Sequence, residues 1–210
     1  MNILPQRILL VAAHPDDIEF GMGGTLSLLV ENKNIRFKVV VCSDCEEQPG
    51  NKGITKEFEQ SMDFFGIDDY EILGLPNTKL PSVSDKIREK LELIKKEFEP
   101  DLVFTTSKKS IHQDHKIVAI EVERILRNIG ILSFEDVKSC PNFLPSLYFT
   151  LDENHVNGKL KSLKFYKSQF NRYYHDDELL RSLLIFRGGQ IGEKYAESFE
   201  TIRLISKIKI

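Results

Sequence analysis

The run RILLVAA, residues 7–13, is apolar at nearly every position and stops at His14-Pro15-Asp16-Asp17. A strand with one face in water alternates polar and apolar residues. A strand without alternation is buried on both faces, as happens in a parallel sheet covered by helices on each side. Similar short runs recur at 36–43 (RFKVVVCS), 70–75 (YEILGL), 101–107 (DLVFTTS) and 146–151 (SLYFTL). Helical patterns separate them. One is expected from Gly23 to Lys33, opened by glycines. A second runs from a Thr55 cap to Phe65, with Gly66 as its stop. A third covers 84–98, with Ile87, Leu91, Ile94 and Phe98 on one stripe and Pro100 beyond it. A fourth follows Val118 to about Asn128. Residues 130–145 read as irregular, and the tail as helix mixed with polar loops. The alternation predicts an α/β protein, a Rossmann-like three-layer α/β/α sandwich with a mostly parallel sheet. A chain of 210 residues is expected to form one domain over 1–210.

Composition narrows the function classes. The formal net charge is −3 and no basic stripe is visible, which argues against nucleic acid as a partner. Ile8–Ala13 is too short for a signal-peptide core or a membrane span, so a cytoplasmic protein without a span is expected. Three cysteines, Cys42, Cys45 and Cys140, fit a reducing interior. The C-x-x-C spacing of Cys42 and Cys45 reads as a buried small residue and a loop thiol.

In open α/β sheets function gathers beyond the carboxyl ends of the strands. Two clusters stand there: His14-Pro15-Asp16-Asp17 after the first strand, and KSIHQDHK (109–116) after the strand at 101–107. They hold three of the five histidines, each cluster with aspartate at close spacing. Catalytic zinc sites use three nitrogen or oxygen ligands and keep a fourth position open. His14 and Asp17 can face one ion across the turn, and His115 can complete the set. Asp16 is then placed as general base, a helix cap being its alternative. His112 serves as an imidazolium beside the oxyanion, oriented by Asp114. On spacing alone His112 and His115 can exchange roles. Gly21, Gly23 and Gly24 are expected to let backbone approach this loop, with Thr25 supporting the helix start. GMGG does not match the dinucleotide fingerprint G-x-G-x-x-G, so a nucleotide-binding module is disfavoured. His155 and His175 are expected at the surface, one of them lining the pocket being the alternative.

AAHPDDIEFGMGGTL and HQDH, in this order and separation, resemble the A-H-P-D-D-x-E-x-G-x-G-G-T and H-x-D-H motifs of PIG-L/LmbE-type N-acetylglucosamine deacetylases. VVVCSD, LGLPN and the tail around KSLKFYKSQF and RGGQIGEKYAESFETIRL extend the similarity; 130–145 matches least. The resemblance implies hydrolysis of an N-acyl group, usually acetyl, from an amino sugar. It implies His14, Asp17 and His115 as ligands of Zn²⁺, with Fe²⁺ or another divalent ion compatible. Asp16 becomes the base, and His112, oriented by Asp114, the oxyanion partner. The expected partner is a small N-acetylated sugar, and a homo-oligomer is compatible with the chain.

Departures from the pattern bear on substrate. The stretch 51–66 has no Arg where the family often has one, leaving Lys52 or Lys56 as substitutes. Met22 is read as reshaping the floor near the ion. Tyr166 and Lys167 stand where a His-Arg pair is common. Phe143, Tyr148 or Tyr173 are candidates to stack on a sugar. The alternatives are a hydrolase of another N-acyl substrate, such as a lipid, thiol glycoside or antibiotic intermediate, and a sugar-binding protein without turnover.

Overall fold

The computed structural model describes residues 5–170 and 172–205. Seven strands form one sheet in the order β3-β2-β1-β4-β5-β7-β6. They are β1 (Arg7–Ala12), β2 (Arg36–Val41), β3 (Tyr70–Ile72), β4 (Leu102–Thr105), β5 (Gly130–Phe134), β6 (Leu147–Leu151) and β7 (Tyr195–Arg203). β1 to β5 are mutually parallel, and β7 runs antiparallel to both β5 and β6. The helices are α1 (Asp17–Leu29), α2 (Ile54–Phe65), α3 (Ser84–Glu97), α4 (Gln113–Ile125), α5 (Glu153–Leu163) and α6 (Asp177–Gly189).

Strand β1 shows why the apolar run lacks alternation. Ile8, Leu10 and Ala12 join the core beneath α1 and α2, while Leu9, Val11 and Ala13 join the core beneath α3 and α4. The expected three-layer Rossmann-like sandwich is what the chain adopts. β5 and β7 were not legible. β5 lies in the stretch that reads as irregular, and the buried Glu197 disguises β7 as a polar segment.

Helix α1 begins at Asp17, six residues before the expected start, so the glycines sit inside it. They mark a kink instead: Met22 has φ −148° and ψ 22°. The amides freed there, those of Gly24 and Thr25, donate to the Glu197 carboxylate at 3.1 and 2.5 Å. Lys159 pairs with Glu197 at 2.6 Å and donates to the Phe20 carbonyl at 2.5 Å. A buried ion pair is tolerated because every partner is hydrogen-bonded. The absent side chains serve packing rather than the loop: a Cβ on Gly21 would lie 2.2 Å from the Phe134 ring, and one on Gly24 2.6 Å from Leu151. Met22 is fully buried in the core and does not line the cleft. At α2, Glu46 rather than Thr55 supplies the cap, accepting from Gly53 and Thr55 amides at 2.8 and 3.2 Å. Gly66 ends α2 with φ 70°, as expected.

Candidate metal and acyl-transfer site

The chain leaves β1 to build β2 and β3 on one side, then returns to build β4 and β5 on the other. The crevice opened by this reversal lies beyond β1 and β4. His14 to Asp17 line it from the first side, and His112 to His115, at the start of α4, from the second. The cavity is about 150 Å³.

Three donor groups converge. His14 Nδ1 lies 3.2 Å from His115 Nε2, His115 Nε2 lies 3.2 Å from Asp17 Oδ1, and His14 Nδ1 lies 3.6 Å from Asp17 Oδ2. Ligands held about 2.0–2.1 Å from a tetrahedral ion stand roughly 3.3 Å apart, so these spacings suit such an ion. Asp17 also accepts from the amides of Ala13 and His14 at 3.0 and 2.9 Å, which folds the loop back on itself.

Each imidazole is backed on its far side. His14 Nε2 faces Asp114 Oδ2 at 3.3 Å, and His115 Nδ1 faces Asp136 Oδ2 at 3.3 Å. A carboxylate on the outer nitrogen leaves the inner lone pair directed into the cleft. Asp114 is held in turn by the amides of Thr78 and Leu80 at 2.7 and 3.1 Å. The Asp114 carboxylate therefore meets His14, not His112 as the sequence reading has it. His112 is pinned by the Asp114 backbone, whose amide donates to His112 Nδ1 at 3.2 Å. Because Nδ1 accepts, the proton of neutral His112 sits on Nε2. The His112 ring stacks on His115, with centroids 4.7 Å apart. Burial, reinforced by the neighbouring His115 and His14, lowers its pKa to about 4, which disfavours the expected imidazolium. One nitrogen each of His14, His112 and His115 lies within 4.8 Å of the others.

The electrostatics call for a cation. Burial opposes charge on His14, yet Asp17 and Asp114 raise its pKa to about 9. His115 is raised to about 10, with Asp17 and Asp136 outweighing its burial. Burial likewise opposes ionisation of Asp17, and His115 and His14 hold its carboxyl well below the usual range. The same carboxylates that favour positive charge on these rings suit a divalent cation at this place.

Asp16 precedes α1 but makes no capping hydrogen bond. It lines the cavity, and His175 Nε2 lies 3.4 Å from Asp16 Oδ2. The His175 side chain is 3% exposed, which corrects its expected surface placement. His155 is buried too, closing a capping box with Asp152. Asp136 and His175 went unrecognised. Asp136 lies in the stretch that matches the motifs least, and neither has a local pattern to mark it.

Other walls also differ from expectation. Lys52 and Lys56 are exposed and do not line the cavity; Gln48, Asn51 and Asn77 do. The aromatic lining comes from Phe20, Phe134 and Tyr174, not from Phe143, Tyr148 or Tyr173. Cys42 and Cys45 fall in cores on opposite faces of the sheet, so they form no pair. Tyr166 is fully buried behind the loop. Its hydroxyl lies 2.7 Å from the Pro15 carbonyl and 2.8 Å from Glu19 Oε1. The Tyr166 hydroxyl thus has two acceptors within reach, and burial raises the pKa of Glu19 to about 7.

This is a Rossmann-like α/β protein whose strand crossover carries a His/Asp cleft suited to a divalent cation. The profile of the PIG-L family, described as GlcNAc-PI de-N-acetylase, matches residues 9–126, and the chain belongs to that family. It is 30% identical over 170 residues to the uncharacterized deacetylase YaiS of Escherichia coli (strain K12), covering 77% of this chain and 90% of that protein. It is 23% identical to the diacetylchitobiose deacetylase of Thermococcus kodakarensis, over 94% of this chain and 83% of that one. The crystal structure of the conserved protein TT1542 from Thermus thermophilus superposes with a TM-score of 0.81 at 20% identity, over 98% of each chain. No helix among the described residues is long and apolar enough to cross a membrane.

Proposed function

We propose that this chain is a zinc-dependent N-deacetylase that removes the acetyl group from an amino sugar or a conjugate of one. The observation that carries the reading is the convergence of His14, Asp17 and His115 at 3.2–3.6 Å, with a carboxylate behind each imidazole. Family membership supports the hydrolytic chemistry, and the named activity of the Thermococcus relative supports an acetylated amino sugar as substrate.

His14, Asp17 and His115 hold the ion. Two neutral imidazoles and one carboxylate leave it a net charge of about +1, and when bound it lowers the pKa of water and polarises the acyl oxygen. His112 is not counted as a ligand: its Nδ1 accepts from the Asp114 amide, so its Nε2 carries a proton and has no lone pair to offer. That N–H donates instead to the oxygen on which negative charge develops. Asp16, free of capping duty, takes the proton from the attacking water and passes it to the departing nitrogen. The buried His175 ring lies beside Asp16, its Nε2 3.4 Å from Oδ2 without a hydrogen bond between them. The C–O bond forms, the C–N bond breaks, and acetate and a free amine leave. Asn77 Oδ1, buried in the wall without a partner, is available to a substrate N–H or O–H.

Two measurements test this reading. Zinc-loaded protein is expected to release acetate from N-acetylglucosamine or its glycosides; no acetate from these, with amine released from amino sugars that carry another N-acyl group, would point to a different acyl group. Asp136→Asn keeps the shape behind His115 but loses the charge. Zinc affinity should fall by about 10- to 100-fold, as read by chelator competition, and an unchanged affinity would remove Asp136 from the support of the ion.

A further inference from the structure

The kink at Met22 breaks the helix that carries Asp17 and Phe20 into the cleft. A break there frees the half beside the cleft from the half that packs in the core, unless something joins them. A buried ion pair fills the gap. Lys159, from α5, donates to the Phe20 carbonyl at 2.5 Å, on the half that begins at Asp17. Glu197, from β7, accepts from the amides of Gly24 and Thr25, which open the other half. The ammonium therefore meets the carbonyl end of one half and the carboxylate the amide end of the next, the arrangement that the peptide dipoles favour. The glycines admit the pair. A Cβ on Gly23 would lie 3.0 Å from Lys159 Cγ, and one on Gly24 3.3 Å from the Glu197 carboxyl carbon. On α5, a Cβ on Gly158 would lie 2.3 Å from Ser27 Oγ of α1, so glycines on both helices let them close on each other.

A pair that is only 2% and 3% exposed is a poor source of stability. The cost of taking two charges out of water offsets their attraction, and apolar side chains of similar volume often hold a fold equally well. What the pair adds is direction, because each charge must meet a particular carbonyl or amide. A second tie acts on the same stretch. Tyr166, also fully buried, donates to the carbonyl of Pro15, between His14 and Asp16, at 2.7 Å. The ties at Pro15 and Phe20 bracket Asp16 and Asp17. Tyr166, Lys159 and Glu197 all lie beyond the 9–126 stretch that matches the family profile, so the tail sets the geometry of the first cluster.

We propose that Tyr166 and the Lys159–Glu197 pair are positioning residues that clamp the stretch 14–20 from both ends, holding Asp17 for the ion and Asp16 for the attacking water. The clamp rests on the deacetylase reading only for what that stretch does.

The test uses three variants. Tyr166→Phe removes one hydroxyl. Lys159→Met/Glu197→Gln removes both charges at nearly constant volume and keeps an amide oxygen for the freed N–H groups. Ile94→Ala, in the core beneath α3 and α4, is the control for lost stability alone. In both clamp variants zinc affinity, read by chelator competition, is expected to fall about tenfold or more. With zinc saturating, kcat should fall by about tenfold while KM stays within about twofold of wild type. Ile94→Ala should bind zinc as the wild type does, although it melts at or below the temperature of the double variant. Unchanged zinc affinity and kcat in both clamp variants overturn the proposal. So does an Ile94→Ala protein that loses as much zinc affinity at the same melting temperature. Should the double variant fail to fold, Tyr166→Phe, which lacks a single oxygen atom, decides. Amide hydrogen exchange of the metal-free proteins separates the clamp from the enzyme reading. If the wild type binds no zinc and releases no acetate, the deacetylase reading sinks. Faster exchange confined to 13–25 in the clamp variants then still upholds the clamp, and unchanged exchange there overturns it.

Discussion

Asp16→Asn is expected to lower kcat for acetate release by about three orders of magnitude, the range of a positioned general base. Zinc content and KM should stay close to wild type. Asparagine has the same shape, and Asp16 makes no capping hydrogen bond whose loss would loosen α1. The Asp16 carboxylate is not one of the three converging donors, so its removal is expected to touch proton transfer and not the hold on the ion. Steady-state kinetics beside metal analysis of the same preparation checks both halves. Turnover within tenfold of wild type would take the base role from Asp16; loss of zinc would make it a ligand.

The second large effect concerns the ion. His14→Ala and His115→Ala should each reduce zinc from about one per chain to a small fraction, and abolish acetate release, because each removes one of three ligands. The electrostatics add a second readout. In the metal-free protein the carboxylates raise His14 to about 9 and His115 to about 10, so both nitrogens compete for protons across neutral pH. Zinc must displace those protons. Its uptake should acidify a weakly buffered solution, and affinity should fall as pH drops. A pH indicator recorded during titration with zinc reads this directly. Uptake without acidification, or full zinc content in either variant, would mean that the ion is held elsewhere.

The proposed roles divide along the distances over which they are encoded. His14, Asp16 and Asp17 lie within four residues, and His112, Asp114 and His115 within another four, so each cluster announces itself by local spacing. Their meeting could be anticipated as well, because two buried strands with helical crossovers bring such ends to one crevice. The backing of each imidazole could not. His14 finds its carboxylate a hundred residues away, at Asp114, and the nearer-looking partner, His112, is left with a backbone amide. Which of two adjacent rings a carboxylate meets depends on the direction in which the first turn of α4 points its side chains, and spacing carries no such information.

The same holds for the glycine run and the tail. A cluster of glycines signals that something must come close; only the packed molecule shows that it is Phe134, Lys159 and Leu151. Glu197 looks like a solvated charge on a polar stretch, yet it caps the kink in α1 from a buried strand.

The sequence by itself determined the parallel sheet and its helical layers, the position of the cleft, and the six residues proposed to furnish its chemistry. Unbroken apolar runs and tight polar clusters are written in neighbouring residues. The tertiary structure alone decided that Asp136 stands behind His115, that His175 lies beside Asp16, and that Lys138 and Arg172 meet on Tyr174 at the cavity edge. Those pairings are chosen by side-chain direction and by exclusion of water between segments far apart in the chain, and neither exists until the sheet and its helices have closed.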